Sequence, residues 1–430
     1  MTHLFRELRR RQERGEPVRA GVIGAGFMGR GLVYQLSKMP GMHPGLVVNR
    51  TPEKAVAAYV EAGYKREHVL VSDDVAKLAN AVHEKRPAVA TQPEIAASIP
   101  TLDVVIEATG AVELGAREAL AWIRNQKHFV SLNAETDGTV GALLKRKADE
   151  AGIVYTNADG DQPGVIMRMV EYCRGCGFDV LAAVNCKGFM NVDATPDSIK
   201  EWAVKQNTSP RMTCAFTDGT KMNIEQNVVC NATGLLPARR GMIGVKTDQK
   251  NAVKDFEATG ALAGNPGIVD YTLGGDFGGG IFIIARGQDR DFCAPYLKYL
   301  KMGDGPNYMF FRPYHLCHVE TPLSAAEAVV YGEATIAPMG RPVAHTITIA
   351  KRDLKAGDTL DGIGGFNQYG VMENSPVARR ENLLPMGLTD GCVLKHDAPQ
   401  DTPLTFDDVE LPEGRLSDQL WQEQLATFPL

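Results

Sequence analysis

The sequence predicts an α/β protein with an N-terminal Rossmann doubly wound parallel sheet, an α+β substrate domain and a small C-terminal β-rich domain. Three observations support this class. A glycine-rich turn joins an apolar run to a helical pattern over residues 18–39, strand and helix patterns then alternate to about residue 157, and short β patterns separated by turns follow from about residue 333. The boundaries that we expect are 1–16 for an N-terminal helical arm, 17–157 for the Rossmann domain, 158–332 for the substrate domain and 333–430 for the C-terminal domain.

The composition argues against several classes of protein. The chain has 430 residues, of which 44% are hydrophobic and 23% are charged, and its net charge is −6. Nucleic-acid-binding domains are usually basic. No apolar run approaches the roughly 18 residues of a membrane span, and the N-terminus is charged where a secretory signal is apolar. We therefore expect a cytoplasmic protein with no nucleic-acid partner and no membrane partner.

The strongest motif is the turn after the apolar run 18–23, which reads Gly-Ala-Gly-Phe-Met-Gly. The first glycine permits the turn, the second lets the backbone approach a pyrophosphate, and the third lets the helix pack close to its strand. The pyrophosphate then meets the free N–H groups of the helix N-terminus. The alternative is a glycine-rich turn in a protein without a cofactor. The predicted cofactor-binding residues of this turn are Gly24, Gly26, Phe27, Met28 and Gly29.

The end of the second predicted strand bears on the choice of dinucleotide. Asn49 and Arg50 lie about 20 residues after the last glycine, where enzymes that prefer NAD place an acid for the ribose hydroxyl. Here a guanidinium replaces the acid, and it suits the 2′-phosphate of NADP. The sequence therefore predicts NADPH. The alternative is that Arg50 is a surface residue at a strand end.

Two later strands of the Rossmann pattern, 103–107 and 129–132, also end in polar residues. In a doubly wound sheet, ligands bind beyond the carboxyl ends of the strands. We therefore expect the residues after these strands to line the nicotinamide end of the site. They are Thr109, Gly110, Asn133 and Glu135.

The substrate domain carries polar residues in apolar surroundings. Lys187 ends the strand pattern 180–190, where a cation is costly without a partner; the alternative is a surface lysine. The helical pattern 221–231 places Lys221 and Glu225 one turn apart, which a simple exposed ion pair also explains. Asn223 and Asn227 share one face of that helix, and the glycine-rich loop 274–280 has amides that suit an anion.

With these parts assembled, the chain resembles the homoserine dehydrogenase-like oxidoreductases. In that family the segment corresponding to 130–135 ends in a catalytic lysine, and Glu135 stands at its position. The family's Asp and Lys, four residues apart, correspond to Lys221 and Glu225 with the charges exchanged. The segments 350–358 and 384–388 are similar to SAF-type β-barrel modules. The order of parts, together with 311–322, resembles the second class of 1-deoxy-D-xylulose 5-phosphate reductoisomerases.

The resemblance implies an NADPH-dependent enzyme that rearranges a ketose phosphate and then reduces it to 2-C-methyl-D-erythritol 4-phosphate for isoprenoid precursor synthesis. That chemistry needs a base, electrophilic stabilisation and a phosphate site. It also implies Mg²⁺ or Mn²⁺, although no ligand set is readable from the sequence. We expect a phosphorylated substrate and a homodimer. The catalytic candidates are Lys187, Lys221, Asn223, Glu225 and Glu135, and the candidates for the substrate phosphate are Lys187, Arg239 and Arg240.

Two rival functions stay open at this point. One is an NAD(P)-dependent oxidoreductase acting on another sugar acid, polyol phosphate or amino-acid-like alcohol. The other is a non-catalytic NADP-binding sensor. A further cluster, His315 and His318 with Arg312 and Tyr314, is predicted to consist of packed structural histidines in a loop, because prolines 313 and 322 flank it.

Overall fold

The computed structural model describes residues 3–206 and 208–429, except the side chain of Arg290. They form two compact units, one made of residues up to 164 together with 316–337, and the other of 165–315 together with 338 onwards. No helix in the described ranges has both the length and the apolar character that crossing a membrane requires. The domain boundaries given above stay predictions.

Seventeen strands and sixteen helices of the described residues are used below. The strands are β1 Val18–Ile23, β2 Met42–Val48, β3 Leu70–Val71, β4 Ala88–Ala90, β5 Val104–Glu107, β6 His128–Ser131, β7 Tyr155–Asn157, β8 Phe178–Lys187, β9 Leu236–Pro237, β10 Val245–Lys246, β11 Ile268–Leu273, β12 Ile281–Gly287, β13 Asn307–Arg312, β14 Ala344–Ala350, β15 Gln368–Asn374, β16 Val393–Leu394 and β17 Val409–Glu410. The helices are α1 His3–Arg14, α2 Phe27–Lys38, α3 Pro52–Glu61, α4 Val75–His83, α5 Pro93–Ala97, α6 Val112–Arg124, α7 Ala134–Glu150, α8 Gln162–Gly175, α9 Lys200–Lys205, α10 Pro210–Thr217, α11 Thr220–Thr233, α12 Ala252–Ala258, α13 Arg290–Tyr299, α14 Cys317–Tyr331, α15 Ser375–Arg380 and α16 Leu416–Thr427.

The first unit is built on a seven-stranded sheet in the order β3-β4-β2-β1-β5-β6-β7. Every pair of neighbouring strands is parallel. The central strands are buried on both faces, and β2 is buried along its whole length, as expected for a sheet covered by crossover helices. This confirms the predicted doubly wound Rossmann sheet.

The N-terminal helix α1 belongs to this unit. Leu4 and Leu8 are buried in its core. The predicted helical arm therefore packs on the first unit through these apolar side chains. Gly41 contributes to this packing, because a Cβ there would lie 2.1 Å from the Leu8 carbonyl oxygen.

The second unit is built on a mixed six-stranded sheet in the order β10-β11-β8-β12-β13, with β9 also paired to β11. Strands β10, β11 and β8 run parallel, whereas β12 is antiparallel to both β8 and β13. The carboxyl ends of β8, β11 and β13 therefore point to the same edge of the sheet. We call it the second-sheet edge.

Helix α11 lies at the centre of the second unit, and all fourteen of its residues are buried. Apolar residues such as Met222 and Val229 pack with Ala183 and Val269 of the sheet. Its ends are set by Gly219 and Gly234, which have φ angles of 86° and 78°. A wholly buried helix must pair its polar side chains internally, and this requirement organises the site described below.

The C-terminal part is rich in short antiparallel pairs, as predicted. Strands β14 and β15 pair over seven residues, and β16 pairs with β17. Isolated bridges such as Ile347 to Pro385 join further segments. The resemblance to a SAF module stays a prediction.

Helix α7 begins at Ala134, because Asn133 caps it by accepting a hydrogen bond from the Thr136 N–H. One local prediction was wrong. The segment around His318 is helical and not a loop, and α14 continues through Pro322. The proline removes one helical hydrogen bond, and Ala325 and Ala326 in the following turn are buried in the first core.

Candidate functional site

The glycine-rich turn has the backbone geometry that its spacing predicts. Gly24 has a φ of +101°, which other residues rarely adopt. A Cβ at Gly29 would lie 2.0 Å from the Gly24 carbonyl oxygen, so α2 can approach the turn only with glycine at this position. At Gly26, by contrast, an added Cβ would meet no protein atom within 4 Å. Two glycines thus serve the fold, and the third faces open space.

The N-terminus of α2 offers backbone donors beside that space. Gly26 is the N-cap residue, no side chain caps the helix, and its first turn contains no acid. The first intrahelical bond runs from the Arg30 N–H to the Gly26 carbonyl. The amides of Phe27, Met28 and Gly29 therefore have no intrahelical acceptor, and together with the helix dipole they favour an anion.

The predicted ribose-phosphate residues differ in what they contact. The Asn49 carboxamide accepts from the Ala25 N–H (3.2 Å) and donates to the Thr51 carbonyl (2.9 Å). Asn49 therefore braces the glycine turn from the neighbouring strand. Arg50 follows it with an exposed side chain, at the carboxyl end of β2.

The loop after β5 is held by a buried acid that the sequence analysis did not identify. Glu107 is fully buried, and its Oε1 accepts hydrogen bonds from both the N–H and the hydroxyl of Thr109. Burial raises the pKa of the Glu107 carboxyl, although the Thr109 bonds oppose this shift. Thr109 and Gly110 are half-buried, and Glu107 fixes the conformation that presents them.

Asn133 and Glu135 are both buried at the start of α7. Besides capping the helix, Asn133 donates from its Nδ2 to the Ala111 carbonyl at 3.1 Å. It therefore secures the far end of the same loop. The structure places these predicted residues around the loop 108–111, with Asn133 acting on the backbone.

Two further buried acids lie on the helices of this unit. Burial, followed by the neighbouring carboxylates Glu107 and Glu94, raises the pKa of Glu118 to about 9. Neither carboxyl oxygen of Glu118 has a hydrogen-bond partner among the described residues. Burial raises the pKa of Asp137 to about 6. At neutral pH, Glu118 is therefore a neutral acid.

In the second unit, part of the polar face of α11 is used to hold the hairpin β14–β15. The Asn223 Oδ1 accepts from the Met372 N–H (2.9 Å), and its Nδ2 donates to the Gly219 carbonyl (2.9 Å). Asn231 accepts from the Val343 N–H at 2.8 Å. Both ends of the Asn223 amide are therefore engaged by the backbone.

The remaining polar residues of α11 lie near the second-sheet edge. Asn185 and Lys187 follow Ala183 at alternate positions of β8, so they lie on the face that packs on α11. The Asn185 Nδ2 donates to a carboxyl oxygen of Glu225 at 3.4 Å. Lys221, one turn earlier on α11, is also buried. The structure thus brings the predicted catalytic residues Lys187, Lys221 and Glu225 to one region, together with Asn185.

Lys187 sits where the glycine-rich loop meets the sheet. The Gly274 N–H donates to the Lys187 carbonyl (2.9 Å), and the Cys186 N–H donates to the Gly280 carbonyl (3.1 Å). The Lys187 Nζ lies 6.0 Å from the centre of the Phe216 ring. The half-buried ammonium is therefore held at the second-sheet edge beside an aromatic face.

The two predicted phosphate-binding arginines already have partners within the protein. Arg240 forms ion pairs with Glu373 (2.6 Å) and Glu381 (2.5 Å). Arg239 donates to the Met242 and Ile243 carbonyls of its own loop. Lys187 is the predicted phosphate ligand that lies on the same face as Asn185, the residue bonded to Glu225.

The described residues do not fit the divalent metal that the resemblance implies. Within 3–206 and 208–429, no group of three or more His, Cys, Asp and Glu side chains is arranged to hold a metal ion. The eight cysteines are all free thiols.

The two histidines of the predicted cluster belong to different units. His315 is hydrogen-bonded to the glycine-rich loop, through Nδ1 and the Gly279 carbonyl oxygen at 2.6 Å. His318 packs on α2, where an added Cβ at Gly31 would lie 2.7 Å from the His318 ring. His318 is therefore packed as predicted, but on a helix, whereas His315 is the histidine that lies in the loop before α14.

The residues that sequence reasoning missed share one signal. Glu107, Asn185 and Asp270 are polar residues inside otherwise apolar strands, and all are fully buried. A polar side chain in such a strand needs a partner, so each one points to an organised polar contact. Asp270, for example, accepts from the Ile243 and Gly244 N–H groups.

Comparison with known proteins gives one family match. Residues 160–321 match the model of the family described as oxidoreductase DRL, catalytic domain. This range contains Lys187, Lys221, Glu225 and the glycine-rich loop. A search of curated proteins finds no match to this chain. The family match indicates an oxidoreductase.

Several solved structures have a distant likeness to the chain. A probable dehydrogenase from Thermotoga maritima is 11% identical, with a TM-score of 0.43, over 75% of this chain and 90% of that one. A putative myo-inositol dehydrogenase from Sinorhizobium meliloti 1021 is 12% identical, with a TM-score of 0.41, over 74% and 90%. A 1-deoxy-D-xylulose 5-phosphate reductoisomerase from Zymomonas mobilis in complex with NADPH is 19% identical, with a TM-score of 0.34, over 49% and 57%.

Proposed function

We propose that this chain is an NADPH-dependent oxidoreductase that acts on a small sugar-like alcohol or carbonyl compound. The observation that carries the proposal is the open space beside the Gly26 backbone. It lies at the start of a helix with no side-chain cap and no acid in its first turn. The match of residues 160–321 to an oxidoreductase catalytic domain supports it independently.

The glycine-rich turn and the N-terminus of α2 fit a dinucleotide. The amides at the start of α2 would receive the pyrophosphate, and the loop 108–111, fixed by Glu107 and Asn133, would contact the nicotinamide end. A bound nicotinamide cofactor supplies or accepts the hydride. The protein would hold that ring, and no acidic side chain in the first turn of α2 would repel the phosphates.

The preference for NADPH rests on Arg50. Its exposed guanidinium follows β2, and the flanking positions are Asn49 and Thr51, so no carboxylate there opposes a 2′-phosphate. A charge-assisted hydrogen bond contributes about 1.5–3 kcal/mol. We expect Arg50→Ala to raise the Kd for NADPH about 10- to 100-fold and to leave the Kd for NADH unchanged. Titration of the full chain with each cofactor tests this, and an equal loss for both would contradict it.

The substrate region that we propose is the second-sheet edge near Lys187. Lys187 supplies a cation for a carboxylate, a phosphate or a developing oxyanion, and Glu225 is held by Asn185 beside it. Sugar acids and polyol phosphates combine an anionic group with hydroxyl groups, which suits these residues. We therefore place this class of substrate first.

The reductoisomerase is a second candidate. The specific observation in its favour is that Lys187, Lys221 and Glu225 lie within the matched catalytic-domain segment and come together in the second unit. Rearrangement of a ketose phosphate needs a base and a cation for the enediolate, and a carboxylate and two lysines are the residue types that can supply them.

The decisive experiment is a substrate panel assayed by the absorbance of NADPH. The full chain is incubated with NADPH and 1-deoxy-D-xylulose 5-phosphate, and separately with NADP⁺ and sugar acids or polyol phosphates. Turnover with the second group supports the first proposal, and NADPH consumption with the ketose phosphate selects the second. Cofactor binding without turnover on the whole panel would favour a non-catalytic sensor and overturn both.

A further inference from the structure

His315 occupies a defined position at the second-sheet edge. It lies three residues after the end of β13, whose last residue Arg312 pairs with Ile281, which in turn pairs with Asn185 on the other side. Arg312 follows Phe310 at an alternate position, and Phe310 packs against the same core cluster as Ala183. The row Asn185, Ile281 and Arg312 therefore crosses the face that carries Lys187.

The histidine is oriented by a rigid backbone acceptor. Its Nδ1 lies 2.6 Å from the Gly279 carbonyl oxygen, and a carbonyl can only accept, so Nδ1 carries the proton. Nε2 has no hydrogen-bond partner among the described residues, and the side chain is half-buried. In the neutral ring, Nε2 is therefore the basic nitrogen.

The loop that holds Nδ1 is itself fixed. Phe277 is 1% exposed and stacks on Phe282, with 5.2 Å between the ring centres. Gly280 closes against β13, because a Cβ there would lie 2.3 Å from the Arg312 carbonyl oxygen. An imidazole with one nitrogen bonded to a fixed carbonyl, and with the other nitrogen without a hydrogen-bond partner among the described residues, is suited to acid–base catalysis.

We propose that His315 is a catalytic acid–base residue of this enzyme, an inference that rests on the proposed oxidoreductase function. In the oxidising direction, the substrate O–H bond breaks and its proton passes to Nε2. The C–H bond on the same carbon gives its electron pair, as hydride, to the oxidised cofactor, and a C=O bond forms. The Gly279 carbonyl stabilises the resulting imidazolium, which then releases a proton to water. Reduction runs through the same steps in reverse.

The titratable groups on the two segments that meet here are few. Arg312 and Tyr314 lie on the segment of His315, with the guanidinium 4.8 Å from the Tyr314 ring centre. Asp276 lies in the glycine-rich loop and accepts from the Gln249 N–H. Lys187 lies on β8 at the same edge. The two cations favour an anionic substrate group next to the histidine.

The test compares His315→Gln and His315→Ala with the unmodified chain, using the substrate that the panel identifies. We expect kcat to fall 100- to 10,000-fold, KM and the NADPH Kd to change less than threefold, and the acidic limb of the pH profile of kcat/KM to disappear. Added imidazole should partly restore His315→Ala. His396→Gln, an exposed histidine in a turn of the same unit, is the matched control and should retain full activity.

The possible failures are distinguishable. No turnover by the unmodified chain with any substrate overturns the proposed function and this inference with it. Turnover by the unmodified chain, with kcat of His315→Gln within threefold of it, overturns the role of His315 alone. A loss of activity that retains the acidic limb, without rescue by imidazole, shows a positioning role and also overturns the inference.

Discussion

The carboxyl edges of the two sheets use their polar side chains differently. At the first sheet, Asn49 and Asn133 bond to backbone groups of the surrounding loops, and Glu107 bonds to Thr109. At the second sheet, Asn185 bonds to the Glu225 side chain, and Lys187 faces a ring. At the first edge, the polar side chains therefore fix the conformation of backbone loops, and the backbone would contact a ligand. At the second edge, the side chains themselves would contact it.

The largest effect that we expect is at the edge of the first sheet, where the backbone would contact the cofactor. Gly26→Val should leave the thermal midpoint unchanged, because an added Cβ there meets no protein atom within 4 Å, and should raise the Kd for NADPH at least 100-fold by filling the pyrophosphate space. Gly29→Val is the matched control, since its side chain would clash with the Gly24 carbonyl and should unfold the first unit. Unchanged NADPH binding in a folded Gly26→Val variant would contradict the cofactor assignment.

This contrast explains how much the sequence could predict. The Gly24–Gly29 turn was predicted in detail because its geometry depends on residues within one short segment. The second-sheet edge joins Asn185, Ile281 and Arg312 by register across strands far apart in the chain. No spacing in the sequence encodes that register, so only the general region could be predicted.

The arginines illustrate the same limit. Arg240 was predicted to bind phosphate from its local sequence, in which two arginines follow Pro237 closely. Its ion pairs are to Glu373 and Glu381, more than 130 residues away. In the same way, the buried pair of Lys351 and Asp218 was not predicted, because the two residues lie 133 positions apart in the sequence.

That buried pair carries the second largest expected effect. The Lys351 Nζ donates to Asp218 Oδ2 (2.8 Å) and to the Ala194 and Gly365 carbonyls, and both side chains are almost fully buried. Lys351→Met would leave the Asp218 carboxylate buried and unpaired, so we expect the free energy of unfolding to fall by about 3–5 kcal/mol. Denaturant unfolding measures it.

The control for Lys351 is the exposed pair of Lys355 and Asp397, at 2.8 Å. Lys355→Met should leave the unfolding midpoint unchanged, because water screens that pair. A similar loss in both variants would show that burial of the ion pair does not decide how much it contributes to stability.

A smaller change in the free energy of unfolding, in the stabilising direction, is expected at the buried acid Glu118 of the first unit. Burial raises the pKa of Glu118 from 4.5 to about 9, so the folded state keeps a proton that the unfolded chain releases. Stability is therefore lost as pH rises between about 4.5 and about 9, and at 1.4 kcal/mol per pH unit the cost at pH 7 is about 3 kcal/mol. Glu118→Gln should stabilise the protein by up to this amount at pH 7 and by little at pH 4.

The measurement is urea unfolding of Glu118→Gln at several pH values, with the exposed Glu150→Gln as control. If the variant is destabilised at pH 7, the Glu118 carboxyl is ionised and paired in the folded state, and the assignment of Glu118 as a neutral acid is wrong.

The smallest effect separates bracing from cofactor contact at the first edge. Asn49→Ala removes the acceptor of the Ala25 N–H, and a hydrogen bond of this kind contributes about 1 kcal/mol. We expect the Kd for NADPH and for NADH to rise together, about fivefold, because the turn loosens while Arg50 stays. Asn49→Asp keeps the acceptor of the Ala25 N–H, loses the donor to the Thr51 carbonyl and adds a charge beside the proposed 2′-phosphate site, so it should weaken NADPH binding more than NADH binding. If Asn49→Ala changes the ratio of the two affinities, Asn49 contacts the ribose phosphate itself, and the first edge binds through side chains as the second does.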